Sequence, residues 1–239
     1  MTDSSSKEHP ILFSTDMVRA ILDGRKTVTR RVMSKGNSGC GSFPYSGLDL
    51  SKAINDGKTT HAPKLDDDGS IHRIYPKLRV VDRLWVRETF CRVPTRELLH
   101  GGALHGEAPA HKIDGSDPSV AFVYKCSCVG DRKLYWKPSI HMPRAASRIT
   151  LEVVCVTAER LQDITEEDAI AEGVEGILDS DGIMFYKDYN YAPNHPFNTA
   201  YARVSFQRLW ESLNAARGYG WDANPWVWRV GFKVLEVKG

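Results

Sequence analysis

Residues 21–31, ILDGRKTVTRR, join a helix to a strand, and the rest of the fold is read outward from that junction. Upstream, Met17, Val18, Ile21 and Leu22 recur at helical spacing behind Ser14, Thr15 and Asp16, any of which can cap a first turn. Gly24 suits the left-handed stop of such a helix. Past Gly24 the pattern becomes β-like, and Thr27-Val28-Thr29 is expected to set both threonines on one face of a strand. Four cations, Arg25, Lys26, Arg30 and Arg31, crowd the junction. It reads as a solvated turn favoured by the helix's own dipole, as a phosphate clamp, or as a lysine and a threonine poised for chemistry.

Composition narrows the class without choosing among these. The chain has 239 residues, 41% of them hydrophobic, and a formal charge of only +2, so any nucleic-acid site must come from local clustering. No apolar run approaches the roughly 20 residues that span a bilayer. The polar start MTDSSSKEHP lacks a signal-peptide core, and the five cysteines form an odd, irregular set, so free thiols and a cytoplasmic location without membrane contact are expected.

Along the chain, residues 1–9 read as a disordered tail. Residues 34–76, with SKGNSGCGSF and LDDDGS, and residues 94–120 read as two long insertions. Between them, Leu84 and Val86 alternate with Trp85 and Arg87, a strand pattern. AFVYKC (121–126) is a short strand and SRITLEVVCVTAERL (147–161) the strongest one. TEEDAIAEGV (165–174) is a helix with Thr165 as N-cap, acids in its first turn and Gly173 as its stop. Residues 197–218 form another helix, with Ala202, Phe206, Leu209 and Leu213 toward the core. Trp226, Trp228, Val230, Phe232 and Val234 alternate along a last strand. Strands broken by single short helices, without regular βαβ alternation, point to an α+β, mainly β chain: a small barrel with short peripheral helices.

Five blocks in order, ILDGRKTVTRR, DRLWVRETF, SRITLEVVCV, LQDITEEDAIAEG and NPWVWRVGFKVL, resemble an ASCH domain of the PUA-like superfamily, in a longer form of the kind prophages carry. The resemblance implies a single PUA-like β-barrel domain over residues 10–239 with the two insertions. It also implies a cleft that takes RNA or a modified nucleoside. Some small ASCH proteins hydrolyse the amide of N4-acetylcytidine with a lysine, a threonine and a glutamate. Their G-R-K-T-x-T segment matches Lys26 and Thr29 here, and their glutamate, near the end of the helix after the central strand, falls on Glu172. Those proteins lack both insertions, which leaves the substrate of a longer chain open and gives a protein partner a place to bind.

The residue types suit that chemistry. A threonine hydroxyl attacks only when a base takes its proton, and a lysine serves as base only when its pKa falls well below about 10.4. Crowding by Arg25, Arg30 and Arg31, with partial burial, pushes Lys26 that way. Glu172 would protonate the leaving amine, and Arg31 or a backbone N–H would hold the oxyanion. A non-catalytic reader of nucleic acid needs less: Arg25, Lys26, Arg30 and Arg31 on phosphates, Arg83 and Arg87 at the same mouth, and Trp85 to stack a base. A ribonuclease using the same cleft is a third reading. Trp226 and Trp228 are expected in the core. His141 is a candidate proton shuttle or substrate contact, with Arg144 and Arg148 extending the basic surface. Cys126-Ser-Cys128, with Cys40, His105 or His111, lacks the spacer of a zinc knuckle, so neither a metal nor a cofactor is expected.

Overall fold

The computed structural model describes residues 6–33, 62–65, 71–74, 77–99, 111–128, 134–189 and 197–238. It shows an α+β chain dominated by strands, with few and short helices, and among the described residues no sheet closes on itself. The chain divides into two compact units assembled from separated segments. One holds Met1–Asp23, Asp82–Glu152 and Lys233–Gly239, the other Gly24–Val81 and Val153–Phe232.

In the first unit, β1 (Glu8–Leu12) runs parallel to β5 (Arg83–Arg87), which pairs antiparallel with the first residues of β9 (Ile149–Arg160). Glu8 and His9 therefore belong to a strand and not to a disordered tail, held in place by the Arg83 N–H donating to the Lys7 carbonyl. Helix α1 (Thr15–Leu22) follows, with Ser14 accepting from the Met17 N–H and Val18, Ala20 and Ile21 buried. A separate three-stranded sheet orders β6 (Phe90–Pro94), β8 (Asp117–Tyr124) and β7 (His111–Asp114) as β6-β8-β7. The last part of the stretch expected as a second insertion, residues 111–114 and 117–120, thus pairs into this sheet. Its short helix α2 (Thr95–Leu99) sends Leu98 into a core with Cys91, Val93, Ala121 and Val123. On the opposite face of the sheet, Phe90, Phe122 and Tyr124 pack against Met142 and Ala146.

In the second unit, β2 (Val28–Val32) pairs antiparallel with β13 (Trp226–Val237), which lies between β2 and β9. Two strands inside the first expected insertion, β3 (Ala62–Leu65) and β4 (Ile71–Ile74), form a hairpin ladder. The rest of residues 34–76 lies outside the described residues. Helix α3 (Glu166–Ala171) starts on its expected cap, Thr165, which accepts from the Asp168 N–H, and ends at Gly173 with φ +86°. Strands β10 (Gly176–Leu178), β11 (Met184–Lys187) and β12 (Phe197–Thr199) make a small sheet. Helix α4 (Ala202–Asn214) buries Ala202, Phe206 and Trp210, whereas Leu213 is half exposed. The spacing of four, with Trp210 donating to the Tyr219 carbonyl at 2.8 Å, turns Leu213 away from the core.

Gly231 in β13 is fixed by what lies over it. A Cβ there would sit 2.5 Å from the Cys155 sulfur of β9. Gly231→Ala should therefore cost about 1–3 kcal/mol in chemical denaturation, the usual penalty of overpacking. Cys155→Ala in the same chain should recover most of it. Recovery fails if backbone conformation and not the sulfur sets the requirement.

Candidate functional site

Lys26 precedes β2 and is 1% exposed. Its Nζ donates to the Glu172 carboxylate (Oε2, 2.7 Å), the Glu172 carbonyl (2.7 Å) and the Val28 carbonyl (2.8 Å). An ammonium has three hydrogens, and three acceptors meet it. Glu172 is the C-cap of α3, and the Thr27 N–H donates to the Ala171 carbonyl at 2.9 Å, fastening the entry of β2 to the helix end. Burial pulls the lysine's pKa below its ordinary value against the attraction of Glu172, with Arg31 and Arg30 adding to the fall.

The second Glu172 oxygen accepts from Arg30 at 3.3 Å. Arg30, whose side chain has no exposed surface, also donates to Glu159 (2.6 Å) and Asp168 (2.7 Å). Arg229 stands directly opposite Arg30 in the β2–β13 ladder, where two like charges would repel. Asp168 separates them, accepting from Arg30 on one oxygen and from Arg229 on the other at 2.8 Å. The result is an alternating chain of charge, Lys26–Glu172–Arg30–Asp168–Arg229, with Glu159 as a branch. Burial acts to raise the Asp168 carboxyl, but the bonds from Arg229 and Arg30 outweigh it and hold it low.

Glu159 goes the other way: burial raises it despite Arg30. A carboxyl whose folded pKa lies above its unfolded one keeps its proton longer in the native state. It contributes stability below its ordinary value of 4.5 that is lost as pH rises through the folded pKa. The stability of the chain minus that of Glu159→Gln should therefore fall as pH rises from below 4.5. A flat difference across denaturation curves at several pH values would refute this.

Other expected site residues fall as follows. Thr29 is buried opposite Val230, and strand alternation sets it with Arg31 on the face away from Arg30. Thr27 precedes the strand and is exposed, so the two threonines do not share one environment. Arg25 is exposed and donates to the Gly173 carbonyl at 3.4 Å. Arg30 is the clearest departure from a phosphate contact, because three carboxylates already surround it.

Arg83, Trp85 and Arg87 share a face of β5 in the first unit, opposite buried Leu84 and Val86. The guanidinium groups of Arg87 and Arg144 lie 5.4 and 5.9 Å from the Trp85 ring, and Arg144 also grips Glu8 at 3.0 and 3.2 Å. His141 is exposed in the turn Ser139–His141. Arg148 does not extend the basic surface: it is 3% exposed and holds Glu88 with two bonds, 2.9 and 3.2 Å. Beside it, burial and the Glu88 charge push the Cys126 thiol up to about 12. Among the described residues no group of three or more His, Cys, Asp or Glu side chains could hold a metal, and Cys40 and His105 lie outside them. Trp228 is a buried core residue of β13, whereas Trp226, also expected in the core, is only half-buried, with the Arg160 guanidinium 4.5 Å from its ring.

Sequence reasoning missed Asp168, Glu159 and Arg229 as members of the Lys26 cluster. The signal for Asp168 was present, but a first-turn acid is explained by the helix dipole alone. Comparison of the chain with family models, with curated proteins and with solved structures found no match. No described helix is long and apolar enough to cross a membrane.

Proposed function

We propose that residues 10–239 are an ASCH-type module of the PUA-like superfamily that binds a modified nucleoside and hydrolyses its amide, with N4-acetylcytidine as the type of substrate. The observation that carries this reading is the 2.7 Å pair between Lys26 and Glu172, residues 146 positions apart, both buried. In the proposed reaction Lys26 passes a proton to Glu172 and its freed amine takes the proton of the Thr29 hydroxyl. The Thr29 oxygen attacks the acetyl carbon, and Arg31 steadies the oxyanion. Collapse breaks the C–N bond, the cytosine amine leaves with the proton from Glu172, and water then releases acetate from the acylated threonine. Burial of Lys26 supports the first step, since desolvation disfavours the ammonium and so lowers the cost of the neutral amine.

The test follows cytidine release from N4-acetylcytidine by chromatography. Thr29→Val, which keeps shape and removes the hydroxyl, should cut turnover by about three orders of magnitude or more. Absent turnover, or turnover untouched by this change, removes the hydrolase. One observation favours a second reading: all three hydrogens of the Lys26 ammonium are occupied, as in a structural lock. Saturable binding of N4-acetylcytidine without release of cytidine would identify a non-catalytic reader.

A further inference from the structure

In the first unit, a cavity of about 420 Å³ lies on the Phe90–Phe122 face of the β6-β8-β7 sheet, lined also by Arg92, Asp114, Lys137 and His141. Its size falls in the range of small-molecule sites. The walls are fixed. Phe90 and Lys137 exchange backbone hydrogen bonds of 3.2 and 2.7 Å, and the Lys112 ammonium donates to the Ala145 and Ser147 carbonyls at 2.7 and 2.9 Å. These bonds strap residues 137–147 across the sheet face and leave the cavity beneath them.

The chemistry of the lining is divided. At one side, Arg92 lies opposite Phe122 in the ladder, with its guanidinium 5.7 Å from that ring, and meets Asp114 at 3.1 Å. Asp114 accepts from the Ser116 N–H and hydroxyl, so it is a positioned acceptor held in its charged form. A planar guanidinium over an aromatic ring, next to a fixed carboxylate, suits a flat ring bearing an amino group. At the other side stand the exposed side chains of Lys137 and His141, and among the described residues neither has a partner. A lysine ammonium and an imidazole N–H, neither with a carboxylate of its own, suit a phosphate.

We propose that this cavity binds a nucleoside monophosphate with an aminated base, the phosphate on Lys137 and His141 and the base against Arg92, Phe122 and Asp114. The site uses none of the residues of the Lys26 cluster, so it stands or falls independently of the hydrolase reading.

Calorimetric titration of the full chain with cytidine monophosphate, cytidine and inorganic phosphate tests it. The monophosphate should bind saturably at one site, and at least tenfold more tightly than either cytidine or phosphate. Lys137→Ala and His141→Ala should each weaken it about tenfold, the scale of one charge-assisted hydrogen bond. Neither change disturbs the backbone bonds that hold the strap. Ala145→Trp, at an exposed position on the lining, should abolish binding while the near-ultraviolet dichroism of the other aromatic residues persists. The proposal is overturned if the monophosphate gives no saturable heat, if phosphate alone binds as tightly, or if a folded Ala145→Trp chain binds it as the parent does.

Discussion

Glu172→Ala is expected to destabilise the second unit by about 3–5 kcal/mol, the scale of a buried ion pair that loses one partner. The reason is asymmetry. The Lys26–Glu172 pair as a whole contributes little, because desolvating both groups offsets their attraction. Removing the carboxylate alone leaves the Lys26 ammonium, with no exposed side-chain surface, facing the Glu172 and Val28 carbonyls without its ion-pair partner, and strips Arg30 of one of three anionic partners. A double-mutant cycle separates the two contributions. Lys26→Met with Glu172→Leu should cost far less than the sum of the singles, and a coupling below about 1 kcal/mol would show the pair to be solvated in solution. Hydrogen exchange adds a local readout: protection should fall first in the Thr27 and Glu172 amides, which bond to the Ala171 and Asp168 carbonyls.

The same pair shows which parts of the molecule were legible in the chain. Local rules placed the helix ends, because a cap and its helix are neighbours in sequence: Ser14, Thr165, Gly24 and Gly173 all act within four residues. Alternation placed β5 and most of β13 for the same reason, since each strand's pattern is written in its own residues. The meeting of Lys26 with Glu172 was expected only through resemblance, as nothing local in GRKT names a partner 146 positions away. Arg30 and Arg148 defeated the reading because an arginine in sequence shows its charge and not its counter-ions. Those lie 129–142 residues away for Arg30 and 60 for Arg148, and they turn an expected phosphate contact into a buried anchor. Strand β7 and the first half of β8 were hidden in a Gly- and Pro-rich stretch because HKID and DPSV have weak strand preference alone. Pairing with β6, and packing of Phe122 on Phe90, supply what propensity does not.

Glu88→Ala should have a comparable effect in the first unit, about 3–5 kcal/mol, and by a cleaner route. Glu88 and Arg148 are each 2% exposed in their side chains and meet through two parallel bonds. Arg148 further donates to the Cys126 sulfur at 2.9 Å and the Ser127 hydroxyl at 3.1 Å, and its guanidinium lies 4.0 Å from the Tyr124 ring. None of these carries a full negative charge, and Cys126 cannot supply one, because its thiol pKa of about 12 keeps it protonated at neutral pH. Loss of Glu88 therefore strands a buried cation that has no way to release its proton. The loss should also be visible at Cys126, whose thiol donates to Glu88 at 3.1 Å and is held protonated partly by that charge. Without Glu88 and with Arg148 still beside it, the thiol pKa should drop, and alkylation of Cys126 at pH 8, slow in the parent chain, should accelerate by at least tenfold in the folded variant. A Glu88→Gln chain that lost little stability and left Cys126 as unreactive as before would mean that packing around Tyr124, and not the ion pair, holds this part of the first unit together.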